Sequence, residues 1–140
     1  MFVLVRHDGT RTALEDPSLE EAMRSLVREQ AAHLEIAGDP PRQLDHALAL
    51  GELHLARPGL FEQYSEHWQA PSAEEFRELM RIARLSRSEA GRLVGVSPGK
   101  VGKWAGGASE VPYAVWRLLT IYAGLTPAET WAHKITNQQL

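Results

Sequence analysis

Between Leu85 and Gly107 the chain reads LSRSEAGRLVGVSPGKVGKWAGG, with six glycines and a proline in 23 residues. No long helix survives that punctuation: proline lacks an amide hydrogen, and each interior glycine costs roughly 1 kcal/mol against alanine. Ser86 and Glu89 have the spacing at which each side chain satisfies the other residue's unpaired amide at a helix start. The helix begun there runs two turns to Gly95, which takes the left-handed conformation that ends a helix. Ser97 caps a second helix, and Pro98 stands at its first position, where an amide hydrogen would go unpaired anyway. The stretch therefore folds as two short helices, about 87–94 and 98–105, joined by a tight turn. Gly91 falls where the two helices cross, and a side chain larger than alanine there pushes them apart. Leu93, Val96, Val101 and Trp104 are expected to point inward, leaving Gly99, Lys100, Gly102 and Lys103 outward.

The same start signal recurs. Ser72 with Glu75 and Thr126 with Glu129 repeat the S/T-x-x-E pattern, and Pro127 follows the second serine-like cap. Helices at about 73–84, 112–123 and 127–137 join the pair, giving five after the break at Pro71. Before that break, FVLVRHDGTRTAL places two β-prone arms around Asp8-Gly9, the signature of a hairpin. Ser18 and Glu21 open a helix whose apolar residues (Leu19, Ala22, Met23, Leu26, Val27, Ala31, Leu34) keep helical spacing. It is expected to cover 18–37 and to stop at Gly38-Asp39-Pro40-Pro41. A second helix is expected over Leu44 to Leu55. A short third one carries Leu60, Phe61, Tyr64 and Trp68 and ends before Ala70-Pro71. The chain reads as mainly α: a small helical domain with a β-hairpin at 1–70, and a five-helix domain at 71–140.

Charge separates the same two halves. Residues 1–70 hold 6 Lys/Arg against 12 Asp/Glu, and residues 71–140 hold 9 against 6, although the whole chain is only −3. From Arg81 to Lys103 stand Arg81, Arg84, Arg87, Arg92, Lys100 and Lys103 against Glu89 alone. Such an asymmetry points to an anionic partner for one half. A solvated helix face is the plain competing explanation.

Other classes are disfavoured. There is no cysteine, which excludes disulfides and thiolate metal sites. The six histidines show no HExxH and no i,i+4 pairing, so neither a metal nor another cofactor is expected. No phosphate loop, nucleophile elbow or Ser/His/Asp arrangement suggests an enzyme. No apolar run approaches the roughly 20 residues of a membrane span, and the start lacks the shape of a signal peptide, so a cytoplasmic protein without membrane contact is expected. Trp104 and Trp116 stand at core spacings and are expected to pack rather than stack on bases. Trp68 and Trp131 are expected to pack between halves or subunits.

The stretch resembles the helix-turn-helix of the Xre/Cro-repressor family of DNA-binding proteins. The resemblance rests on Leu85-Ser86, Gly91, Leu93, the turn Gly95-Val96-Ser97, Val101, Lys103-Trp104 and Gly107, and it extends through VPYAVWRLLTIYAGL over about residues 73–124. It implies a repressor-like five-helix domain whose second motif helix enters the major groove of double-stranded DNA. Arg87 stands where the family usually has Gln, and Pro98 and Gly99 stand where many members place a base-reading side chain. The resemblance therefore leaves Lys100 and Lys103, with the close backbone approach at Gly99, to meet base edges. Arg84, Arg87, Ser88, Arg92, Ser97 and Ser109 would hold phosphates.

One such motif makes few contacts, and proteins of this kind commonly bind two-fold sites as dimers. The expectation is a sequence-specific transcriptional regulator, a homodimeric repressor of a phage, plasmid or other mobile element, with 1–70 supplying dimer contacts. Two alternatives stay open. Residues 1–70 grip a partner protein, as an antitoxin grips its toxin, or the chain is an interaction adaptor without DNA.

Overall fold

A computed structural model describes residues 1–15 and 18–128. The elements run β1 (Phe2–Val5), β2 (Arg11–Leu14), α1 (Leu19–Arg28), β3 (His33–Ile36), β4 (Arg42–Leu44), α2 (His46–Glu52), α3 (Ala73–Ala83), α4 (Arg87–Val94), α5 (Pro98–Gly106) and α6 (Tyr113–Tyr122). Six helices and one four-stranded antiparallel sheet are thus seen among the described residues, a larger β part than the expected hairpin. The sheet order is β2-β1-β3-β4.

The hairpin forms as its turn chemistry demands. Asp8 accepts hydrogen bonds from the Thr10 N–H at 2.9 Å and the Thr10 hydroxyl at 2.7 Å, and Gly9 takes the positive φ between them. Helix α1 starts at Ser18, whose hydroxyl accepts the Glu21 N–H at 3.2 Å.

It does not reach residue 37. The helix ends at Arg28, Gln30 turns the chain with φ +50°, and the Ala31 N–H closes the end on the Leu26 carbonyl at 3.0 Å. His33–Ile36 then pairs with β1 in the register Phe2↔Ile36, Leu4↔Leu34. Leu34 satisfies a helical stripe and a strand face equally well. The strand wins because pairing with β1 and β4 seats Leu34 against Leu4 and Leu44 in the core and leaves Glu35 outside, on Arg11.

The other two expected N-terminal helices also differ. Leu44 belongs to β4, and α2 begins after Asp45, whose carboxylate accepts the Leu48 N–H at 2.8 Å. Residues 60–68 form no helix but a run of turns. Their carbonyls bond elsewhere: the Trp116 indole N–H donates to Leu60 at 2.7 Å, and Arg117 donates to Phe61 at 2.9 Å. Arg57 pins the run at its far end, donating to the Gln69 and Ala70 carbonyls and to Glu75.

The C-terminal helices follow their caps closely. Both capping boxes, Ser72 with Glu75 and Ser86 with Glu89, are formed in full. Most of the expected helix at 127–137, with Glu129 and Trp131, lies outside the described residues.

The buried residues form one cluster that runs from Leu4 in β1 to Leu125 after α6. Across Pro71, Arg24 of α1 donates to the Ala123 carbonyl at 3.0 Å and to the Ile82 carbonyl at 2.6 Å, and His46 bonds the Leu125 carbonyl at 2.8 Å. Trp116 is buried in that cluster, tilted 6.0 Å from Phe61, and Trp68 stands edge-on to Tyr113 at 5.3 Å. α6 is thereby held on its side by loop 53–70.

Candidate nucleic-acid interface

Helices α4 and α5 meet across a three-residue turn. Gly95 has φ +78° and ends α4, and the Val96 N–H reaches back to the Gly91 carbonyl at 2.9 Å. A methyl group on Gly91 would sit 2.5 Å from the Val96 carbonyl oxygen, far inside van der Waals contact. Only glycine lets the turn fold this tightly against α4. On the other side, Val101, Trp104 and Ala105 face the core, with Trp104 edge-on to Phe76 at 6.0 Å.

One expected inward residue is not there. Leu93 is 38% exposed. Helix α4 packs through Ala90, Gly91 and the half-buried Val94. Leu93 lies two positions beyond Gly91, about 200° around the helix, so it faces out.

The start of α5 is open to solvent. The Ser97 hydroxyl accepts the Lys100 N–H at 3.2 Å, Pro98 has no N–H, and among the described residues no acceptor takes the Gly99 N–H. Aligned peptide dipoles leave a partial positive charge at this end. Ser97, Gly99, Lys100 and Lys103 are all exposed here.

The basic side chains lie on α5 and on the two helices before it. Arg84, Arg87, Arg92, Lys100 and Lys103 are exposed, and among the described residues none forms an ion pair. Arg84 holds the left-handed position that ends α3, with φ +55°. Arg87 lies across α5 at Gly102, where a methyl group would come within 3.0 Å of its guanidinium. That seat is invisible in the sequence; the only trace of it is a glycine on the outward face. Lys100 folds back along its own helix, its Nζ 5.8 Å from the centre of the Trp104 ring. Among the described residues nothing holds the Lys103 side chain in this way. Ser88 is exposed on the first turn of α4, and half-buried Ser109 donates its N–H to the Lys103 carbonyl at 3.3 Å just after α5.

Two charges of this region are already committed. Arg81, part of the basic run in the sequence, pairs with Glu78 at 2.5 Å and Glu20 at 3.4 Å. Glu89 is held by its capping box: the Ser86 N–H, then the Ser86 hydroxyl, keep its carboxyl below the ordinary range, with Arg92 adding less. The cationic field therefore comes from five side chains rather than six, and its one acid is turned to a structural task.

The chain is thus a small α+β protein that presents an exposed pair of helices carrying a run of basic side chains. Two proteins of Escherichia coli, both named transcriptional repressor protein KorC, are 41% and 34% identical to this chain over 64 residues. Those residues cover 44% of this chain and 75% of each relative. The chain belongs to the family of these KorC repressors. No family model matches it, and no solved structure does.

Proposed function

We propose that this chain is a transcriptional repressor that binds double-stranded DNA as a homodimer, with α4 and α5 acting as a helix-turn-helix of the Xre/Cro type. Helix α5 enters the major groove with its N-terminus toward the bases. Lys103 and Lys100 meet base edges, and Gly99 lets the backbone come close. Arg84, Arg87, Ser88, Arg92, Ser97 and Ser109 hold phosphates and set the register. Residues 1–70 supply the dimer contacts.

The observation that carries this reading is the set of five exposed cations between Arg84 and Lys103 that form no ion pair among the described residues, in a chain of net charge −3. Gly99 supports it as well. The nearest atom to a methyl group there is Ser97 Oγ at 3.8 Å, so the fold has no steric need for glycine, whereas a close DNA backbone would supply one. Lys103, free of the ring that holds Lys100, is the better base reader. The name carried by both relatives agrees with a repressor.

The test is DNA binding as a function of salt, on sequences selected from a random pool. The logarithm of affinity should fall linearly with the logarithm of salt concentration, by about 0.9 per phosphate neutralised. Arg87→Ala should weaken every sequence alike and reduce that slope by about one. Salt-independent affinity, or no binding at low salt, would remove the helix pair from DNA.

A further inference from the structure

Among the described residues the sheet ends at β2, and the bonding parity of the hairpin shows which of its backbone groups no described residue takes. The Arg6 N–H donates to the Thr10 carbonyl at 2.9 Å. Bonded and non-bonded pairs alternate along an antiparallel ladder, so Leu4 with Thr12 and Phe2 with Leu14 are the next bonded pairs. The opposite side of β1 obeys the same parity, since the Val5 carbonyl accepts the Ala32 N–H beside β3 at 2.9 Å. Arg11 and Ala13 therefore aim their N–H and C=O groups away from the sheet. Both residues are exposed, as is Thr12 between them.

An open edge of this kind is a template for another strand unless something repels it. Arg11 is the one charge within β2; it donates two hydrogen bonds to Glu35, at 3.1 and 2.7 Å, and a second copy can meet it with a carboxylate rather than with another arginine. The edge carries no proline.

We infer that a second copy of this chain pairs with this edge, β2 against β2, about a two-fold axis at Ala13. Two-fold symmetry makes each candidate register a simple choice of centre. A centre at Arg11 sets arginine against arginine, and one at Thr12 sets Arg11 against Ala13. A centre at Ala13 makes Ala13 a bonded pair with its twin and sets Arg11 opposite Glu15, the residue after β2, twice over. All three centres use the spare backbone groups of Arg11 and Ala13, and among them the centre at Ala13 adds an opposite charge across from Arg11. The two four-stranded sheets become one of eight strands. The interface is small, so the dimer is weak and concentration-dependent.

The inference deepens the proposed homodimer, and its test uses the full chain without DNA. Sedimentation velocity over a range of concentrations compares the parent with Ala13→Pro and Glu15→Lys. Proline at 13 removes an N–H that the hairpin does not use, and an edge tolerates it. Circular dichroism should match the parent while the dimer dissociation constant rises by about 100-fold or more. Glu15→Lys faces Arg11 with a like charge and should raise the constant by about 10-fold, most at low salt. It lies at an exposed position and decides the matter if Ala13→Pro does not fold. A parent that stays monomeric at high concentration overturns the inference, as does a folded variant that dimerises as tightly as the parent. An intact, edge-dependent dimer that fails to bind DNA at low salt would instead strike the DNA reading alone.

Discussion

Replacing Gly91 by alanine adds one methyl group at the tightest point of the molecule. The methyl would lie 2.5 Å from the Val96 carbonyl oxygen and 3.4 Å from both the Ser97 carbonyl carbon and its oxygen. These are backbone atoms, so no rotamer change relieves the contact. The turn is also held from the other side, because the Gly95 and Val96 N–H groups both donate to the Gly91 carbonyl. Relief requires opening the turn, which shifts Ser97 and the start of α5. Overpacking of this kind costs about 1–3 kcal/mol. The better helix propensity of alanine returns about 1 kcal/mol, leaving a net loss of up to about 2 kcal/mol. For a chain of this size that is a fall in Tm of up to about 8 °C. Gly99→Ala is the matched control: with 3.8 Å to the nearest atom, it should leave stability unchanged or raise it by up to about 1 kcal/mol. Urea unfolding of the two variants beside the parent measures both changes. A Gly91→Ala protein more stable than the parent, by as much as Gly99→Ala or more, would refute the close-approach reasoning.

Lys103→Ala should leave the fold intact and lose about 1–3 kcal/mol of discrimination at one base pair, read on a panel of operators with each position varied. Uniform weakening across the panel would make Lys103 a phosphate contact. A third expectation concerns acid. Burial pushes the Glu75 carboxyl up, but the Arg57 guanidinium and the Ser72 N–H outweigh it and hold the group below its ordinary value of 4.5. A lowered carboxyl stabilises the fold above the unfolded value and loses that contribution as pH falls through the folded one, so stability should decline below about pH 4.5. Glu75→Gln should be less stable than the parent at pH 7 and show a shallower acid loss, measured by urea unfolding at several pH values.

What can be read from the residues alone is governed by range. A capping box closes over three residues and a C-terminal glycine acts on its own turn, so α3, α4 and α5 stand where Ser72, Ser86, Ser97, Gly95 and Pro98 place them. The Asp8-Gly9 turn is equally local, and so is the cluster of basic residues from Arg84 to Lys103 in the candidate site. Most of the failures are long-range; Leu93, whose place follows from its phase on α4, is a local one. Leu34 fits a helix or a strand, and the choice falls to β1, some thirty residues away in sequence. Leu60 and Phe61 have the spacing of a helix stripe, yet their carbonyls are taken by Trp116 and Arg117. In the site, Arg81 is held in ion pairs by Glu20 from α1 as well as by Glu78. Arg87 finds its seat on Gly102 of the next helix. Sequence by itself determined the helix pair and its positive charge, because backbone caps and turn glycines act within four or five residues. Tertiary structure decided the sheet, the single core shared across Pro71 and which cations stay unpaired, because pairing partners and ion partners are chosen by distance in space.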